Sequence, residues 1–95
     1  MTPKNNKKYL LGCSDIRPNE FRDGFECSFL AYYGKIEVEE YWSIPRDHIE
    51  LSRERIMVEV SELGPKRSQV KIPLLGSRPK EFTVNTTDLE EIAKR

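Results

Sequence analysis

One histidine and two cysteines are all that this 95-residue chain offers a soft metal or a nucleophilic relay. A zinc site takes about four Cys, His or carboxylate ligands at turn-like spacings, and Cys13, Cys27 and His48 are too few and too scattered, so neither metal nor cofactor has support. The same scarcity excludes a disulfide scaffold and makes two buried, free thiols the expectation. His48 has Asp47 beside it in sequence, a spacing that does not by itself let one side chain orient the other, so no catalytic residue is assigned. Gly64 and Gly76 stand alone in basic turns rather than in a phosphate-cradling loop. No run approaches the eighteen apolar residues of a membrane span, and the first eight residues lack a signal peptide's apolar core, so a cytoplasmic protein is expected. Net charge is zero, with sixteen residues of each sign, and gives no reason to expect an acidic or basic partner.

What is present is alternation. Ile56, Val58 and Val60 form one period-2 set and Val70, Ile72 and Leu74 another, the signature of half-buried strands. Facing Val60 with Val70 also sets Val58 against Ile72, Ile56 against Leu74 and Leu63 against Arg67, leaving Gly64-Pro65-Lys66 as a three-residue hairpin loop. That register puts Glu59 opposite Lys71 on the outer face, a pair contributing roughly 0.2–1 kcal/mol. A second hairpin joins Phe25, Cys27, Phe29, Ala31 and Tyr33 to Ile36, Val38, Trp42 and Ile44, with a two-residue turn at Gly34-Lys35 or, in a register shifted by two, at Tyr33-Gly34; either puts both sets on one face. Glu40 falls among the inward positions, where it marks a bulge, an edge or a carboxylate facing a pocket. Acid–base catalysis would need a second convergent carboxylate beside it, and none is evident.

Residues 1–8, polar and basic, read as a disordered arm, and 9–95 as a single domain. Ser14 to Gly24 reads as a structured loop anchored by Phe21, Ile49 to Leu51 as a short strand, and Pro45 as a strand end. Thr87 followed by Glu90 has the spacing of a capping box, and Leu89, Ile92 and Ala93 give a short C-terminal helix one apolar stripe. The fold expected is mainly β: a small barrel or roll of five to six antiparallel strands closed by that helix. Phe82-Thr83-Val84 leading into residues 85–92 resembles the close of an SH3-like barrel. Gln69-Val70-Lys71-Ile72 and Pro79-Lys80-Glu81 before Val84 resemble the carbon storage regulator family, which implies RNA binding. The chain departs from that family in having Asn85-Thr86-Thr87 where the family carries a basic residue, and in lacking its Leu-Thr-Arg opening.

Charge is segregated along the chain. Residues 37–62 hold eight acidic residues against three basic, and 63–80 hold five basic residues and no acid. Two functions follow, neither with an evident small-molecule substrate. The first is a non-catalytic protein-interaction module, an accessory subunit or inhibitor-like partner, docking through Leu30, Tyr32 and Tyr41 among Glu37 and Glu39, because exposed aromatics are enriched where partners dock. The second is RNA or DNA binding by the basic hairpin 63–80, through Lys66, Arg67, Lys71, Arg78 and Lys80.

Overall fold

A computed structural model describes residues 7–19 and 23–92. Nine strands run through them: β1 (Lys7–Gly12), β2 (Asp15–Asn19), β3 (Gly24–Tyr33), β4 (Ile36–Pro45), β5 (Ile49–Glu50), β6 (Arg55–Glu62), β7 (Arg67–Ile72), β8 (Lys80–Asn85) and β9 (Leu89–Glu91). They make two antiparallel sheets, one in the order β8-β7-β6-β1-β9 with β5 also on β6, the other β2-β3-β4. The fold is mainly β, as alternation requires, but the sheets do not close into a barrel.

The two sheets share one corner. Only Cys13 and Ser14 separate β1 from β2; the Cys13 N–H donates to Glu54 O at 3.2 Å, and the Ser14 N–H donates to Ser28 O at 2.8 Å. The chain thus leaves one sheet and enters the other within two residues, and what reads in sequence as a loop from Ser14 is strand β2. On the opposite side, β4 and β8 are sheet edges, bridged at one end by the Leu75 N–H donating to Ser43 O at 2.8 Å. Between the sheets lies one core, in which Leu11, Phe29, Ile44, Ile56, Ile72 and Val84 are buried almost completely. Phe82 meets Phe29 edge-on at 5.1 Å between ring centroids. Cys27 is buried and Cys13 partly so, both free; a hydrogen bond with Cys27 and then burial push the Cys13 thiol far above its ordinary range.

Both expected hairpins form. Tyr33 faces Ile36 across Gly34-Lys35, and Gly34 has φ of +67°, so it takes the first central position of a two-residue turn that L-residues resist. In the other hairpin Val60 faces Val70 and Glu59 faces Lys71 as alternation dictates, but Glu62 faces Gln69 because a bulge intervenes at Ser61. The Ser61 hydroxyl donates to Gln69 O at 3.1 Å and lies 3.0 Å from a Glu81 carboxylate oxygen. The bulge moves Leu63 off Arg67 and tightens the turn. Gly64 is needed there for room rather than for dihedrals, since a Cβ would sit 2.2 Å from the Arg67 carbonyl oxygen.

The C-terminal helix does not form. Thr86–Asp88 is a single 3-10 turn followed by β9, which pairs Leu89 with Leu11 and Glu91 with Tyr9. Two interactions outweigh the capping pattern. The Thr86 hydroxyl donates to Gly64 O at 2.8 Å, and β1 offers its free edge, whereas an isolated helix of two turns is marginal in water. Lys7 and Lys8, assigned to the arm in sequence, belong to β1; residues 1–6 of that arm, Phe21 and Ala93 lie outside the described residues.

Candidate interaction surface on the β3–β4 hairpin

Antiparallel pairing fixes which way every side chain of this hairpin points. Phe25, Cys27, Phe29 and Ala31 face the core and are buried, but the inward set does not stay covered to its end. Tyr33, Ile36 and Val38 occupy the same face at the turn and are exposed by 50%, 67% and 37%. The second sheet stops short of them. Its nearest strand, β8, ends at Asn85, whose side-chain amide donates to the Tyr32 hydroxyl at 3.1 Å. The tip therefore projects, carrying apolar side chains that alternation assigned to the core.

Glu40 sits at the foot of this patch. The β3–β4 register is continuous through Phe29 opposite Glu40, so there is no bulge, and β4 is the sheet edge. Its carboxylate accepts the Trp42 indole N–H at 2.8 Å and the Tyr33 hydroxyl proton. That acceptance pushes the Tyr33 phenol above its ordinary value. Glu40 thus holds both aromatic side chains in place along the edge.

On the outer face, the residues assigned to a protein contact separate. Tyr41 is 70% exposed, and Glu37 and Glu39 are exposed, whereas Leu30 and Tyr32 are half-buried. Tyr32 is held on three sides. Its hydroxyl donates to Glu37 at 2.9 Å and accepts from Asn85, and the Arg67 guanidinium carbon lies 3.8 Å from its ring centroid. It belongs to the contact between the sheets rather than to a free surface.

The basic residues of 63–80 separate too, for a topological reason. Successive connections of a meander lie at opposite ends of a sheet, so Lys66 and Arg67 are at one end of β7, and Arg78 and Lys80 at the other. Five residue steps along β7 put these ends about 17 Å apart. Lys80 lies 4.7 Å from the Trp42 ring centroid. Lys71 projects from the outer face, where Lys8, Glu59, Lys71 and Glu81 are cross-strand neighbours of alternating sign. None of the five makes an ion pair among the described residues. The fold brings Tyr32 to Arg67, and Trp42 and Phe82 to Lys80.

His48 Nδ1 lies 3.0 Å from an Asp47 carboxylate oxygen, at the rim of a hollow of about 270 Å³ lined also by Lys8, Met57, Glu59 and Lys71. Among the described residues, the lining brings no hydroxyl or thiol to the imidazole. Among the described residues no three His, Cys, Asp or Glu side chains gather as metal ligands would, and no helix is long and apolar enough to cross a membrane. No family model, curated protein or solved structure matches this chain.

Proposed function

We propose that this protein is a non-catalytic interaction module, an accessory subunit or inhibitor-like partner, that docks a protein through the projecting tip of the β3–β4 hairpin. The observation that carries this reading is the exposure of Tyr33, Ile36 and Val38 side by side on one face. Apolar side chains grouped at a projecting tip are what partners bury, and interface energy concentrates in a few such anchors. Tyr41 on the other face of the same strand extends the surface, and Glu37 and Glu39 give it a negative rim. The test is quantitative affinity capture from native lysate with the wild type and with the Tyr33→Ser, Ile36→Ser double variant, circular dichroism serving as the folding control. The variant keeps its fold, because both side chains are at least half exposed, and loses the captured partner. Equal capture by both proteins overturns the proposal.

A second reading is RNA or DNA binding by the hairpin 63–80. It draws support from the absence of ion pairs at Lys66, Arg67, Arg78 and Lys80 among the described residues, since a cation without an acidic partner is available to phosphate; Lys71 stands between Glu59 and Glu81. The separation of these residues between two sheet ends weighs against it.

A further inference from the structure

The backbone of β4 presents a second feature beside the apolar tip. In an antiparallel ladder, residues alternate between exchanging both hydrogen bonds with the neighbouring strand and directing them to the other side. The two-residue turn makes Tyr33 and Ile36 a hydrogen-bonded pair, so Ile36, Val38, Glu40, Trp42 and Ile44 bond to β3. Glu37, Glu39, Tyr41 and Ser43 direct their N–H and C=O groups to the open edge. The Leu75 N–H donating to Ser43 O fits this alternation and shows that the edge takes a partner where the chain supplies one. From Glu37 to Tyr41 no backbone partner is present among the described residues. Of the other edges, β2 has five residues and contains Pro18, and β9 has three.

Resting on the proposed interaction function, we infer that the edge of β4 from Glu37 to Tyr41 binds an extended segment of a protein partner as an added antiparallel strand, and that this segment alternates basic and apolar residues. Addition of a strand supplies affinity through main-chain hydrogen bonds and selectivity through alternate side chains. Residues of the added strand opposite Glu37 and Glu39 lie on the outer face beside two carboxylates, which selects lysine or arginine. The residues between them lie on the face of Ile36 and Val38, which selects apolar side chains. A second copy of β4 is disfavoured by the same charges, because like charges directly opposite repel. Five residues of β4 accommodate a partner strand of about the same length, roughly 13 Å between its end residues.

The probe is a nine-residue peptide alternating lysine and valine, blocked at both ends and labelled for fluorescence anisotropy. It is compared with a glutamate-for-lysine version and with two N-methylated versions, one at the lysines and one at the valines. Lysines opposite Glu37 and Glu39 direct their N–H groups at β4, so methylating the lysines weakens binding at least tenfold while leaving charge intact. Methylating the valines weakens it less, and the acidic peptide does not bind. Glu39→Pro removes one edge donor without touching the β3 ladder and lowers affinity at least tenfold, with Glu39→Gln as the charge control showing a smaller loss. Amide exchange at Glu37, Glu39 and Tyr41 slows when the basic peptide is bound. Should Glu39→Pro fail to fold, the N-methylated peptides on the wild-type protein decide the matter. Unchanged affinity of the lysine-methylated peptide overturns strand addition. If Ile36→Ser still abolishes partner capture in that case, the apolar tip stands as the docking surface without it. Absence of any peptide binding also overturns the inference and leaves Glu37 and Glu39 as charges that keep an edge from aggregating.

Discussion

A carboxylate on the inward face of a strand usually costs stability, yet Glu40 is placed where that cost is small. It stands at a sheet edge, half-buried, and satisfies the Trp42 indole N–H and the Tyr33 hydroxyl together. A hydrogen bond from the neutral phenol to the carboxylate favours the protonated tyrosine, because ionising Tyr33 would both remove that donor and set two negative charges side by side. The folded-state value of Tyr33 therefore lies above its ordinary 10.0. Any stability from this contact is present below pH 10.0 and lost as pH rises through the folded value; exposure to solvent keeps it small. Titration of the tyrosine ring carbons by NMR is expected to show Tyr33 ionising above pH 10.0, and Glu40→Gln to bring its midpoint down toward 10.0. A midpoint unmoved by Glu40→Gln would show that the carboxylate is not its partner.

At the scale of elements, a small polar network holds the β6–β7 turn against the end of β8. The Gly64 N–H donates to the Ser68 hydroxyl oxygen at 3.2 Å, the Ser68 and Thr86 hydroxyls are 2.7 Å apart, and the Thr86 N–H donates to Lys66 O at 3.0 Å. Ser68 is buried, so its hydroxyl depends on these partners. Thr86→Val keeps the side-chain shape and leaves Gly64 O and the Ser68 hydroxyl each short of a partner, which costs about 1–3 kcal/mol. Urea denaturation followed by fluorescence of Trp42, the one tryptophan, measures it; no loss of stability would mean that water replaces the hydroxyl.

Which of these elements could be read in advance follows from how local their determinants are. The pair Val60–Val70 and the shared face of the β3–β4 hairpin were legible because a turn and an alternating pattern constrain pairing between strands adjacent in sequence, whereas the choice of Gly34-Lys35 over Tyr33-Gly34 as the turn was not. Strand β9 was not, since three residues carry no period and its partner β1 is some eighty positions away. The Ser61 bulge was hidden as well, because one extra residue leaves the pattern on either side of it intact. The candidate surface was half legible for a related reason. Alternation assigned Tyr33, Ile36 and Val38 to a face, but their exposure depends on where β8 ends, which is a property of the other sheet.

For the whole molecule, the decisive quantity is the distance between the two basic ends. Lys66 and Arg67 at one end and Arg78 and Lys80 at the other are about 17 Å apart along β7, beyond the Debye length of about 8 Å at physiological salt. Each end therefore meets a polyanion nearly independently. If a short single-stranded oligonucleotide touches one end, two phosphate contacts give a salt slope near −1.4, and affinity falls roughly sevenfold between about 50 and about 200 mM salt. If one strand spans both ends, four contacts give roughly a 50-fold fall. The interaction-module reading predicts the shallow dependence or no binding at all, because Arg67 is stacked on Tyr32 and Lys80 lies over Trp42. Its protein partner, held through Ile36, Val38 and the edge of β4, is expected to lose affinity only a few-fold over the same range. Anisotropy titrations of a 12-nucleotide single strand and of the alternating lysine–valine peptide, at several salt concentrations, compare the two directly. A steep oligonucleotide dependence abolished by Arg67→Glu and by Lys80→Glu, each in a folded protein, would move the function from the hairpin tip of β3–β4 to the two ends of β7.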